Sequence, residues 1–135
     1  MKNLFTIAVA LLVALPSFAQ QALWGSAPVV SSEIHGNNTV TFRFQAPKAV
    51  KVEVTGDFLP PQKIESPYGK FDAPGSAELK EGKNGVWEYT TPGPLASELY
   101  SYSFIVDGLK AFDPNNVYLN RDVSTLTNIF IIGGG

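Results

Sequence analysis

From Gln20 onward the apolar residues recur at every second position, and the runs are cut about every ten residues by Gly, Pro, Asn and Asp. A period of two places successive side chains on opposite faces of an extended chain, so the chain is committed to short strands with one buried face. Leu99–Val106 is the clearest run: Tyr100, Tyr102, Phe104 and Val106 share one side, and Ser101, Ser103 and Ile105 share the other. The aromatic side is the expected core face. By the same rule Val40, Phe42 and Phe44 oppose Thr39, Thr41 and Arg43, and Val50, Val52 and Val54 oppose Lys51 and Glu53. Trp87 and Tyr89 align on one side, with Trp87 expected in the core.

Strands are expected near Val29–His35, Thr39–Ala46, Val50–Thr55, Ala77–Lys80, Val86–Thr91, Leu99–Val106, Leu109–Phe112 and Thr127–Ile132. Gly36-Asn37-Asn38, Ala46-Pro47, Gly82-Lys83-Asn84-Gly85 and Asp107-Gly108 supply the turns, because Gly and Asn tolerate positive φ and Pro presets a negative one. The stretch Phe58–Ser76 holds four prolines and is expected as a long loop. No repeat and no helix long enough to name is visible. The pattern is that of an all-β, immunoglobulin-like β-sandwich.

Lys2, an apolar run from Leu4 to Leu15, and small residues at Ser17 and Ala19 have the order of a signal peptide, with cleavage expected after Ala19. The run is too short to span a bilayer of about 30 Å, so residues 1–19 are expected to be removed and the mature protein to be secreted, periplasmic or extracellular, with no membrane partner. Of 135 residues, 20–135 then form one domain, large enough to bury a core without disulfides. The formal charge is −2, and no run of Lys or Arg exists to track a phosphate backbone, which excludes nucleic acid as a partner. With no Cys and one His, thiolate chemistry, zinc clusters and Ser-His-Asp systems lack their parts. His35 lies beside Gly36 and is expected as a solvated turn residue. No catalytic residue, cofactor or metal is expected: Asp57, Asp107 and Asp113 each fall at a turn, and their spacing matches no calcium loop. Asn37-Asn38-Thr39 fits a glycosylation sequon, but Asn at a hairpin turn has its own explanation.

Five segments in order carry a resemblance: Phe42-Arg43-Phe44-Gln45-Ala46-Pro47, Val50–Phe58, Gly85-Val86-Trp87, Tyr102–Gly108, and Asp113-Pro114-Asn115. They resemble carbohydrate-binding module family 48, the early-set immunoglobulin-like domain of glycogen-branching enzymes and their relatives. The resemblance is nearest to the variant that begins secreted bacterial esterases, including feruloyl, acetyl-xylan and enterochelin-esterase-like enzymes, and it continues through Asn116, Arg121-Asp122-Val123 and Thr127–Ile131. It implies a non-catalytic N-terminal accessory domain that packs on an α/β-hydrolase esterase domain and helps position plant polysaccharide. The alternative is a freestanding xylan- or α-glucan-binding module. The sequence stops at Gly133-Gly134-Gly135 without a Gly-x-Ser-x-Gly elbow, as expected of either, and its abrupt apolar end favours an accessory domain whose catalytic part is missing.

The family's α-glucan binders use a Trp after the Gly-x-Phe motif, a Lys in the Tyr-x-Phe strand, a Trp after Asp-Gly and an Asn in the last strand. Position by position, these correspond to Pro61, Ser103, Lys110 and Asn128, so only Asn128 agrees. The resemblance makes Lys110 and Asn128 candidate ligand-binding positions. Phe58, Tyr68 and Phe71, in the proline-rich stretch, are candidates for an aromatic platform on which a sugar ring stacks. Folding back on the sheet edge or packing on a neighbouring domain is the simpler expectation for such aromatics. Tyr118 is expected to face a catalytic domain, as part of an exposed apolar patch involving the last strand.

Overall fold

The computed structural model describes residues 28–133. The expected signal peptide and its cleavage site lie outside the described residues. Twelve strands follow in order: β1 (Glu33–Ile34), β2 (Val40–Gln45), β3 (Val52–Gly56), β4 (Gln62–Ser66), β5 (Gly69–Ala73), β6 (Gly75–Glu78), β7 (Lys80–Glu81), β8 (Val86–Thr90), β9 (Leu99–Val106), β10 (Leu109–Ala111), β11 (Leu119–Arg121) and β12 (Leu126–Ile131). A 3-10 turn, Lys83–Gly85, precedes β8. One sheet has the order β1-β2-β8-β7, a second has β11-β12-β9-β3-β6 with β10 also on β9, and β4-β5 stand apart as a two-stranded ribbon. All pairings are antiparallel. The two larger sheets form an immunoglobulin-like sandwich.

The faces follow the alternation. Val40, Phe42, Val52, Val54, Trp87, Tyr100, Tyr102, Phe104 and Phe130 form one buried cluster. Phe42 meets Tyr102 edge-on at 4.9 Å, and Phe130 stacks on Tyr100 at 5.3 Å, geometries that suit the ring quadrupole. Trp87 packs in the core as expected, and its Nε1 donates to Ala46 O at 2.9 Å. Positive φ falls at Asn38, Asn84, Asp107 and Gly108, where the turns were expected.

Several expectations need correction. Val50 is exposed and precedes β3; its N–H and that of Lys51 donate to Asp107 Oδ1 at 2.9 and 2.8 Å, which pulls Val50 away from the ladder. The Val29–His35 strand shrinks to Glu33–Ile34, because only those two residues find partners on β2. The Phe58–Ser76 stretch is not a loop: it holds β4, β5 and the start of β6. Its prolines stand between strands, Pro60 and Pro61 before β4, Pro67 in the turn and Pro74 after β5, so they punctuate strands rather than break them. His35 is half-buried rather than solvated; its Nε2 lies 2.7 Å from Thr41 Oγ1.

Candidate functional site

The outward face of the second sheet carries small hydroxyls where its inward face carries rings. On it Ser76 opposes Thr55, and Thr55 opposes Ser103. The far edge of β9 is shared, with β12 pairing to residues 99–102 and β10 to residues 104–106. Ser103 falls where one partner leaves and the other begins. The parting opens a groove of about 140 Å³ walled by Thr55, Asp57, Pro74, Ser101, Lys110 and Thr127.

Ser103 lines this groove at 2% exposure, and its Oγ has no hydrogen-bond partner among the described residues. Leaving a buried hydroxyl unpaired costs about 1–3 kcal/mol, and with essentially no accessible surface this one forms the floor of the groove rather than a ligand contact. Around it Lys110 offers an ammonium and Thr127 a hydroxyl, while Thr55 Oγ1 already donates to Gly75 O at 2.9 Å. Asp57 Oδ1 already accepts the Ser101 N–H at 2.8 Å, which holds the carboxylate at the rim. The groove therefore presents polar groups to a ligand, and the one aromatic residue that lines it, Tyr102, is buried.

The ribbon springs from its wall. Pro74 belongs to the groove wall and also accepts a hydrogen bond from Gln62 Nε2 at 3.0 Å, which ties the root of the β4–β5 ribbon to the groove rim. Ribbon pairs alternate in chemistry. Lys63 and Asp72 (3.1 Å) and Lys70 and Glu65 (2.6 Å) are ion-paired on one face, while Ile64 opposes Phe71 on the other. Phe71 is half exposed, and Tyr68 at the tip is fully exposed. Ser66 Oγ closes the turn, accepting the Tyr68 N–H and donating to Gly69 O, each at 3.1 Å.

The expected site residues separate accordingly. Lys110 reaches the groove, whereas Tyr68 and Phe71 stand out on the ribbon and do not line it. Phe58 does not join them: it stacks on Phe42 at 4.8 Å and 17°, meets Phe130 edge-on at 5.9 Å, and packs against the core. A Cβ at Gly56 would strike that ring, so the glycine makes room for it. Phe58 is a plug rather than a platform. Asn128 is corrected too, since it shares the inward face of β12 with Phe130 and is fully buried. Its Oδ1 accepts the Asp113 N–H at 2.8 Å and its Nδ2 donates to Asp113 O and Asn116 O, so it clamps a loop and has no surface for a ligand. One step along the strand, Thr127 faces the groove instead.

The three turn aspartates also do more than bond their own backbone. Asp57 and Asp107 each tie a turn to a distant strand, and Asp113 anchors a buried network. Its Oδ2 accepts from Ser31 Oγ (2.5 Å) and Tyr102 OH (2.8 Å), its Oδ1 from the Asn115 N–H (2.9 Å). Burial, followed by the charge of Asp113, pushes the Tyr102 phenol well above its ordinary value. Among the described residues no group of three His, Cys, Asp or Glu is placed to hold a metal ion.

Comparison with known proteins agrees with this fold. The family described as carbohydrate-binding module 48 (isoamylase N-terminal domain) matches residues 27–120. No curated protein is significantly similar in sequence. Among solved structures, pullulanase from Anoxybacillus sp. LM18-11 complexed with maltotetraose is similar at 18% identity and a TM-score of 0.51, over 86% of this chain and 16% of that one. The GBS pullulanase SAP in complex with maltotetraose is similar at 16% identity and a TM-score of 0.54, over 83% and 15%. Pullulanase from Bacillus acidopullulyticus is similar at 20% identity and a TM-score of 0.52, over 78% and 12%. The chain thus spans less than a fifth of those enzymes, and at such identities the likeness establishes a shared fold. None of the three structures is an esterase. With the sandwich, the order of its strands and the match over residues 27–120, the chain belongs to the carbohydrate-binding module 48 family of non-catalytic early-set domains.

Proposed function

We propose that the chain is an accessory domain that holds a polysaccharide for the carbohydrate-active enzyme it serves. The observation that carries this is a polar groove with Asp57, Lys110 and Thr127 on its wall, from whose edge rises a ribbon that exposes Phe71 and Tyr68. Sugars offer the complementary pair: hydroxyls along the ring edge for Asp57, Thr127 and Lys110, and an apolar ring face for an aromatic side chain. The ribbon presents those aromatics on a paired backbone, which lowers the entropy lost on binding. Holding substrate this way raises its effective concentration at an attached active site.

The finer assignment is to a secreted carbohydrate esterase acting on plant polysaccharide, with xylan as the ligand. It is supported by the sequence run Asp113–Asn116, Arg121-Asp122-Val123 and Thr127–Ile131, which resembles the esterase variant of the family. A second reading, an α-glucan module of a glycoside hydrolase, is favoured by the family match and by the likeness to pullulanases. Against it, Pro61 and Lys110 stand where the α-glucan binders of the resembling family have rings.

Native affinity electrophoresis through gels cast with xylan or soluble starch tests the reading. Retardation by xylan that Phe71→Ala and Tyr68→Ala reduce at least several-fold is expected. Retardation by starch alone would select the second reading, and mobility unchanged in both gels would overturn the proposal.

A further inference from the structure

The sandwich holds a second concavity that polysaccharide binding does not use. It measures about 550 Å³ and lies between the segment that leads into β1, residues 115–118 ahead of β11, and the end of β12. Val30, Ile34, Val117, Tyr118 and Ile131 wall it, each of them exposed, and none of its lining residues is charged. Pockets that hold small molecules share this make-up: apolar walls, a volume of about 300–1,000 Å³ and few polar groups.

Two polar groups in this cleft are left over. Ser31 Oγ donates to Asp113, Asn116 Nδ2 donates to Tyr102 OH and Ile129 O, and Asn116 Oδ1 accepts the Tyr118 N–H. Ser32 turns its hydroxyl to the Tyr102 phenol. Asn115 is held through its backbone N–H, which donates to Asp113 Oδ1. Neither the Asn115 side-chain amide nor the Tyr118 hydroxyl has a hydrogen-bond partner among the described residues. Both line the cleft from one segment, so beside Val117 that wall carries an amide and a hydroxyl able to donate and to accept.

These features fix the chemistry of an occupant. An ion would be desolvated here without a counter-charge, which selects a neutral compound. A sugar would lay its rim of hydroxyls against the methyl groups of Val30, Ile34, Val117 and Ile131, with one amide and one hydroxyl to answer them. An alkyl chain would surrender rotamer freedom that a ring does not have, and the Tyr118 ring, 70% exposed, gains from an aromatic neighbour beyond the area covered. A cavity of about 150 Å³ holds benzene, so about 550 Å³ admits two fused rings. Thr127 in the groove and Ile131 in the cleft are four residues apart on β12, about 13 Å at about 3.3 Å per residue, so the two sites fill independently.

We infer that this cleft is a binding site for a neutral aromatic alcohol or phenol, its rings against the aliphatic walls and its hydroxyl on Asn115 and Tyr118. The test is backbone amide NMR of the full chain at neutral pH during titration with 2-naphthol, with 2-naphthoate and 1-octanol as the charged and the aliphatic controls. Saturable shifts over residues 30–34, 115–118 and 129–131 are expected with 2-naphthol, at an affinity at least tenfold above that for 2-naphthoate and several-fold above that for 1-octanol. Val117→Arg, at a position 83% exposed and outside the core, is expected to abolish them. Asn115→Ala combined with Tyr118→Phe is expected to weaken binding several-fold. Equal affinity for either control, shifts that scatter or never saturate, or binding undiminished in either variant would overturn the inference. Shifts over the same residues when the unliganded chain is merely concentrated would overturn it in favour of a second copy. Xylohexaose is expected to leave the cleft residues unshifted; a saturable shift there would overturn the inference in favour of a sugar, while loss of sugar binding at the groove strikes only the polysaccharide reading.

Discussion

Asp113 is the residue on which the closed end of the sandwich depends. It is 2% exposed and joins Ser31, Tyr102 and Asn115, while Asn128 holds its backbone. Asp113→Ala leaves two buried hydroxyls without their acceptor, and a loss of about 3 kcal/mol is expected, read as a midpoint shift in urea unfolding. Tyr102 adds a pH signature. Its phenol is held protonated in the folded state, so its contribution is complete below the ordinary value of 10 and is lost as pH rises from there toward the raised folded value. Stability is expected to fall above about pH 10, with Tyr102→Phe flattening that limb of the profile. At the acid end, hydrogen bonding to Arg43 holds the Glu33 carboxyl below its usual range. The stability it supplies is present above the unfolded value and is lost as pH falls through the folded one, and Arg43→Gln should remove that dependence.

At the scale of elements, the ribbon and the groove behave as separate parts. A lone two-stranded ribbon is marginal in water, so β4–β5 relies on its cross-strand pairs and on the bond from Gln62 to Pro74 at its root. Shortening it by replacing residues 63–72 with Gly-Asn-Gly is expected to leave the unfolding midpoint of the sandwich within a few degrees while abolishing retardation by polysaccharide; a collapse of the midpoint would show the ribbon to be structural. This element was illegible in the sequence because four prolines and an exposed apolar pair mimic a loop, and a ribbon with no buried face lacks the burial pattern that reveals a strand. β11 escaped for a related reason, since Leu-Asn-Arg carries one apolar residue and no alternation. Alternation did place Ser103 on the outer face. Its burial there depends on β12 and β10 parting beside it, a feature of pairing that no single strand encodes. The same pairing decides that Thr127, rather than Asn128, meets the groove.

Across the whole molecule, the sandwich was the most legible level. The period of two in Leu99–Val106, the apolar sides of β2 and β3 and the glycine and asparagine turns suffice to predict two packed sheets, because burying one face of each strand admits few other solutions. Function was less legible, since the family positions that would carry an α-glucan are replaced here and the groove that stands in their place is made by tertiary pairing. In the proposed function this groove and the ribbon rooted at its wall grip one polysaccharide chain. Backbone amide NMR during titration with xylohexaose and maltohexaose tests that directly. Saturable shifts confined to Ser103, Lys110, Thr127 and the ribbon residues 68–71, stronger for xylohexaose, are predicted. Shifts confined to residues away from the groove and the ribbon, or no shift with either sugar at millimolar concentration, would contradict it.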